Sequence, residues 1–311
     1  MGFYKKVKKK ILVTGGTGFI GAAICNFFSN KGYYLTILDD NSRGKLKRIK
    51  QNKNIKIIKG DVTNYKDVYR SAVGQSHIFH LAAINGTKFF YEKPDKVLDV
   101  ACKGAINIID VAKKLKIKNI FLASSSEVYH YPKKIPTDET ETMKIPDVFN
   151  PRYSYAGGKI LTELLGINNA RFFKKMIIFR PHNVYGKDMG QEHVIPELIR
   201  KIKIANSSMK IKGSGFETRS FIYIDDFLEA FYLIFKKGKH LNIYNIGTEE
   251  RVRILDLTKI IIKIFKKKIT IGQEKIAKGG TSHRCPNINK IKKLGFKKKI
   301  NLKEGLCKII L

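Results

Sequence analysis

Tryptophan is absent from this sequence and negative charge is scarce: 26 Asp and Glu stand against 61 Lys and Arg, a formal charge of +35 over 311 residues. Only 11 of the basic residues are Arg, and the lysines are spread along the whole length. Arg is the side chain that forks onto guanine edges and phosphates, so its shortage argues against sequence-specific reading of nucleic acid as the main task. A diffuse positive field instead attracts small polyanions, and it weakens with salt. Cysteine is also rare. Cys25, Cys102, Cys285 and Cys307 form no CxxC pair and have no His at ligand spacing, which argues against a metal site or a disulfide framework and fits a reducing cytoplasm. Long apolar runs are missing too. The stretch behind the basic MGFYKKVKKK breaks at Gly15-Gly16, too short for a signal or membrane helix, and Lys6 breaks the myristoylation pattern. The early lysines read as a solvated lead-in to the first strand, with contact to an anionic membrane surface as the alternative. What is present is globular: 43% hydrophobic and 11% aromatic residues, enough for one large or two modest domains.

From residue 10 to about 180, short apolar runs alternate with amphipathic stretches of helical length, the pattern of a parallel sheet covered by helices. Strands are predicted at 11–14, 35–38, 56–58, 78–81, 120–123 and 176–179, with helices at about 19–30, 64–73, 95–117 and 153–172. The proline- and acid-bearing stretch from His130 to Pro151 reads as a loop over an active-site face. Beyond Pro181 the alternation stops. One more helix is predicted at 225–235 and one more strand at 242–246, amid Gly- and Lys-rich segments.

Two constellations carry chemistry. In Thr14-Gly15-Gly16-Thr17-Gly18-Phe19-Ile20-Gly21, between a β-branched strand and a helix, Gly15 permits a tight turn. Gly18 lets the backbone approach a pyrophosphate, and Gly21 allows close helix packing. Asp39 ends the next strand, placed to accept hydrogen bonds from an adenine-side ribose; a 2′-phosphate would face that carboxylate, which favours NAD over NADP, although Arg43 is nearby. Asp61, followed by Val62, falls either near the adenine or at the cap of the following helix. In Tyr155-Ala156-Gly157-Gly158-Lys159 the two functional side chains share one helix face, so the ammonium is expected to sit close to the phenol and draw its pKa from ~10 towards neutrality.

Further motifs join these: His80-Leu81-Ala82-Ala83, Ser125-Ser126-Glu127-Val128-Tyr129, Arg180-Pro181-His182-Asn183-Val184-Tyr185-Gly186, and Arg219-Ser220-Phe221-Ile222-Tyr223-Ile224-Asp225-Asp226. Together the chain resembles the extended short-chain dehydrogenases/reductases of the NAD-dependent nucleotide-sugar epimerase/dehydratase family, over nearly its whole length. The resemblance implies an α/β Rossmann-type doubly wound parallel sheet with a smaller, discontinuous substrate-binding lobe. Residues 1–181 with 221–247 would form the NAD-binding domain, and 182–220 with 248–311 the nucleotide-sugar lobe. NAD would be bound by Gly15, Gly18, Phe19, Ile20 and Gly21, by Asp39, Asp61 and Val62, by Leu81, Ala82 and Ala83, and by Tyr155 and Lys159.

The implied reaction is a hydride cycle through a 4-keto sugar. Tyr155 would take the 4-hydroxyl proton, Lys159 would tune it and bind the nicotinamide ribose, and Ser125 would hold the same hydroxyl. Asn183, Arg219 and Arg284 match positions that grip the nucleotide diphosphate. Glu127 matches the carboxylate that removes the carbon-5 proton in dehydratases, but Ser126 stands where such enzymes place an acid. Arg152, with Ser125, Ser126 and Glu127, also resembles sugar-acid decarboxylases, where cations hold a carboxylate; alternatively it brackets the helix start. His130 stands where relatives usually have Gly, and Ala83-Ile84-Asn85-Gly86-Thr87 is expected to line the sugar pocket. Simple 4-epimerisation demands least of these residues and is the expected activity, with dehydratase or decarboxylase chemistry second. A non-catalytic NAD-binding or nucleic-acid-associated protein is a competing class. A homodimer through the helices at 95–117 and 153–172 is also implied, with Ile106, Ile109, Val111 and Leu115 serving either that contact or the sheet.

Overall fold

The aliphatic runs become strands because a parallel sheet is buried on both faces and needs near-continuous hydrophobic segments. In the computed structural model, which describes residues 9–275 and 279–311, Ile11, Leu12 and Val13 of β1 (Lys10–Thr14) are all fully buried. Then follow α1 (Phe19–Asn30), β2 (Tyr34–Asp39), β3 (Ile55–Lys59), α2 (Tyr65–Ala72), β4 (His77–His80), α3 (Thr87–Glu92) and α4 (Pro94–Lys114). The chain continues through β5 (Asn119–Ala123), α5 (Ser154–Asn169), β6 (Lys175–Pro181), β7 (Val184–Tyr185), α6 (Val194–Ile204), β8 (Ser208–Lys212), β9 (Thr218–Arg219) and β10 (Ile222–Tyr223). It ends with α7 (Ile224–Lys237), β11 (Asn242–Ile246), β12 (Val252–Arg253), α8 (Ile254–Ile264), β13 (Thr270–Glu274), β14 (His283–Arg284), α9 (Asn289–Lys293) and α10 (Leu302–Ile310). Lys5, Lys6 and Lys8, considered above for a membrane surface, lie outside the described residues.

Seven strands form one parallel Rossmann-type sheet in the order β11-β6-β5-β4-β1-β2-β3. The order reverses at β1, whose Ile11 pairs with Leu35 on one side and His77 on the other. In open α/β sheets that switch point opens a crevice beyond the carboxyl ends of the strands. On one face Phe79 meets Phe28, Phe121 and Phe231 at centroid distances of 5.2, 5.1 and 5.1 Å. The rings cross steeply, at 73–88°, the edge-to-face geometry that aromatic quadrupoles favour. On the other face Leu12, Ile78, Ile120 and Leu122 lie beneath Ile108, Ile109 and Val111 of α4. Helices α4 and α5 pack closely at Gly158, where a Cβ would fall 2.5 Å from that of Ala101.

Beyond Pro181 the structure corrects the sequence expectation of a single helix and strand. Besides α7 and β11 it contains α6, α8, α9 and α10 and the small pairings β7/β10, β8/β13 and β9/β12/β14. The helices were hidden by lysine density. Ile195, Leu198 and Ile202 in α6, and Leu257 and Ile261 in α8, make buried stripes at helical spacing, but the intervening lysines blur them. Among the described residues, no helix is long and apolar enough to cross a membrane.

Candidate active site

The switch-point crevice is a cleft of about 370 Å³. At its base the turn from β1 to α1 puts Gly15 at φ +69°. A Cβ on Gly21 would fall 2.1 Å from the Gly15 carbonyl oxygen, so backbone closure here requires the missing side chain. No side chain caps α1, leaving its first-turn amides for a ligand. The Asp39 carboxylate accepts from the amides of Thr17 and Asn41, both at 2.9 Å, and lines the cleft. Asp61 and Val62 line it as well. The cap of α2 is Asn64, which accepts from the Lys66 amide at 2.9 Å, so the capping alternative for Asp61 falls away. Phe19, Ile20, Leu81, Ala82 and Ala83 lie along the same wall, and Ile84 to Thr87 continue it. Arg43 also lines the cleft, but its guanidinium is already engaged, 4.3 Å over the Phe89 ring and paired with Glu192 at 3.4 Å. These features, a closely approachable backbone, free helix amides and an acceptor at the ribose position, fit a dinucleotide without a 2′-phosphate. Gly21→Ala should therefore abolish NAD retention, read as loss of cofactor absorbance after gel filtration; a variant that co-purifies with NAD as well as the parent would refute the cradle.

Helix α5 brings Tyr155 and Lys159 to the cleft opposite the turn Ser126–Tyr129, which Ser125 caps by accepting from the Glu127 amide at 3.2 Å. Their electrostatics correct the expectation from spacing. Burial raises the Tyr155 phenol to about 12; the hydrogen bond with Ser125 and the charge of Arg43 oppose that rise, and Glu127 adds to it. Lys159 is not the group that lowers it. Its Nζ lies 5.7 Å from the Tyr155 ring centroid and donates to the Ala123 carbonyl at 2.7 Å. Desolvation lowers Lys159 itself to about 8, against the field of Glu163. A shared helix face guarantees proximity, but burial of both groups outweighs the attraction expected from it.

Beyond the phenol, Ser126, Glu127, Asn183 and Arg284 also line the cleft. Glu127 Oε1 accepts from Arg284 at 2.7 Å. Burial alone would raise Glu127, but the charge and hydrogen bond of Arg284, helped by Arg152 and His130, prevail and hold it at about 2. Asn183 donates to the Ser220 carbonyl at 2.8 Å. Arg219 and Arg152, expected from the sequence to bind substrate, are not among the residues that line the cleft. Arg219 donates to the carbonyls of Thr218, Thr281 and Ser282, and its pKa is lowered to about 10, by burial first and then by Arg284.

Two sets of residues escaped sequence reasoning. Phe90 of α3 stacks on Tyr155 at 5.1 Å and 16°. Its helix is too short for periodicity to reveal. Glu163, one turn beyond Lys159, is fully buried and takes two bonds from Arg180, at 2.8 and 2.6 Å. Arg180 donates to Tyr129 Oη at 2.7 Å, Tyr129 donates to Asn245 at 2.7 Å, and Ser124 donates to Glu163. An acid on the inward face of a helix was the available signal.

A model of the NAD dependent epimerase/dehydratase family matches residues 11–247. The UDP-N-acetyl-alpha-D-glucosaminuronate decarboxylase of Bacillus cytotoxicus is 31% identical over 98% of this chain and 97% of its own length. The dTDP-D-glucose 4,6-dehydratase of Homo sapiens is 28% identical over 97% of this chain and 89% of its own. The solved UDP-N-acetylglucosamine 4-epimerase of Methanobrevibacter ruminantium, in complex with UDP-N-acetylmuramic acid, matches with a TM-score of 0.88 at 25% identity and 97% coverage of both chains.

Proposed function

This chain belongs to the NAD-dependent epimerase/dehydratase family, and from that premise we propose that it is a nucleotide-sugar 4-epimerase-like enzyme working through a transient 4-keto sugar. The observation that carries this reading is the pairing of Glu127 with Arg284. A carboxylate held at about 2 is a poor base for a carbon-bound proton, and Ser126 supplies no carboxylic acid beside it. The set that epimerisation requires, Ser125, Tyr155 and Lys159, stands complete in the cleft.

Gly15, Gly18, Gly21, Asp39, Asp61, Leu81 and Lys159 would hold NAD, which when bound supplies a hydride acceptor and donor at carbon 4 of the sugar. Tyr155 would remove the 4-hydroxyl proton and later return it. Ser125 would orient that hydroxyl and stabilise the phenolate, and Phe90 would exclude water from the phenol's face. Asn183 and Arg284 would bind the nucleotide diphosphate. The division into 1–181 with 221–247 and 182–220 with 248–311 would then separate the cofactor-binding and sugar-binding parts.

Purified protein incubated with UDP-, dTDP-, GDP- and CDP-sugars, analysed by mass spectrometry and sugar chromatography, tests the reading. Epimerisation conserves mass; loss of water or of carbon dioxide would overturn it in favour of a dehydratase or decarboxylase. Decarboxylation is the second reading, because the fields of Arg152 and Arg284 converge on Glu127 where a sugar carboxylate would be held.

We also propose a homodimer through the outer faces of α4 and α5. Ile109 and Val111 are consumed by the core, whereas Leu98, Ile106, Leu164 and Ile167 are exposed at 37–44%. Ile106→Lys should shift the light-scattering mass from dimer to monomer; an unchanged mass would place any interface elsewhere.

A further inference from the structure

His130 occupies the position after the Ser126–Tyr129 turn and is 2% exposed, yet neither ring nitrogen has a hydrogen-bond partner. Leaving both nitrogens of a buried imidazole unpaired is costly, and such groups call for a physical explanation. The ring is wedged edge-on against Tyr153, with centroids 4.7 Å apart at 89°, and lies 6.5 Å from the Tyr131 ring. Its Nε2 points at the second oxygen of Glu127, 3.9 Å away, while the first oxygen is bonded to Arg284. That separation is about 1 Å too long for a hydrogen bond. Arg284 also donates to Thr281 Oγ1 at 3.1 Å, so two of its five N–H donors are held within the protein while the residue lines the cleft.

We propose that His130 is a positioning residue that takes over Glu127 when a nucleoside diphosphate draws Arg284 away. The inference rests on the reading above in which Arg284 grips the diphosphate. A diphosphate that draws the Arg284 fork towards itself loosens the bond to Glu127 and leaves that carboxylate, 20% exposed, short of its cation. A small shift of Glu127 towards the waiting imidazole replaces that lost bond. The groups facing the ring are Glu127, Arg284, Arg152, Tyr131 and Tyr153. Burial first, and then the two arginines against Glu127, bring His130 down to about 4, so with Arg284 in place the ring is neutral and has one N–H to donate. By donating it to Glu127, His130 lowers the cost of releasing Arg284 and strengthens diphosphate binding without touching the ligand.

Calorimetric titration of the NAD-loaded protein with UDP, dTDP, GDP and CDP identifies the tightest of the four, which then serves as probe. His130→Ala should weaken it about tenfold in Kd. His130→Asn, which keeps a donor near the same place, should recover most of the loss. In a Glu127→Gln background the Ala substitution should change Kd by less than about twofold, because the competing anion is gone. A His130→Ala Kd within about twofold of the parent's, or a loss that persists in Glu127→Gln, would overturn the proposal. Should the alanine variant unfold, nitrogen NMR of the unmodified protein decides: the His130 imidazole signal must change on saturation with nucleotide, and an unchanged signal refutes the handover. Failure of the parent to bind any of the four would overturn the nucleotide-sugar reading itself, a distinguishable result.

Discussion

Tyr155→Phe should lower kcat by about 10³-fold while leaving the protein folded and NAD bound, since a positioned general base contributes on the order of 10²–10⁴. The substitution removes one oxygen from a ring otherwise retained against Phe90. The pH profile supplies the sharper test. With the phenol pushed up to about 12, the phenolate is the minor form at neutral pH, and its fraction rises with pH. Lys159, lowered to about 8, loses its positive charge above that value. In the parent, kcat/KM should therefore climb from acid towards about 8 and then flatten or fall as Lys159 deprotonates. The residual activity of Tyr155→Phe should lack the climbing limb. Turnover surviving within about tenfold of the parent, with the same profile, would remove Tyr155 from the role of base.

Glu163→Ala should cost about 3–5 kcal/mol of stability, because it leaves the Arg180 guanidinium buried without its counter-charge. For a chain of this size that corresponds to a fall in melting temperature of about 10 °C. The loss should reach the chemistry as well. Arg180 ties α5, which carries Tyr155 and Lys159, through Tyr129 to the turn that carries Ser125 and Glu127. Replacing both members of the pair by methionine should regain most of the stability, because no unpaired charge then remains, but not the turnover. Thermal unfolding of the single and double variants checks this. A Glu163→Ala protein melting within about 2 °C of the parent would show that the buried pair contributes little.

The parts legible in advance depend on near neighbours. The run Ile11 to Val13, the glycines that follow and the spacing of Tyr155 from Lys159 are patterns over a few residues, and backbone geometry converts them directly into strand, turn and helix face. The helices beyond Pro181 were lost because lysine, with its long apolar stem, occupies core-flanking positions that a polarity pattern assigns to solvent. Glu163 and Arg180 were each visible, but nothing along the chain says that they meet.

Chain order thus dictated the alternation of strands and helices up to Pro181 and the glycine turn of the dinucleotide cradle, since each follows from local periodicity and backbone sterics. Folding alone settled how the site residues are charged and to whom they are bound. Arg284 reaches Glu127 across 157 positions, burial pushes Tyr155 away from neutrality, and Lys159 turns towards Ala123. Coulomb attraction and desolvation depend on distances and on exclusion of water, and neither exists until the segments pack.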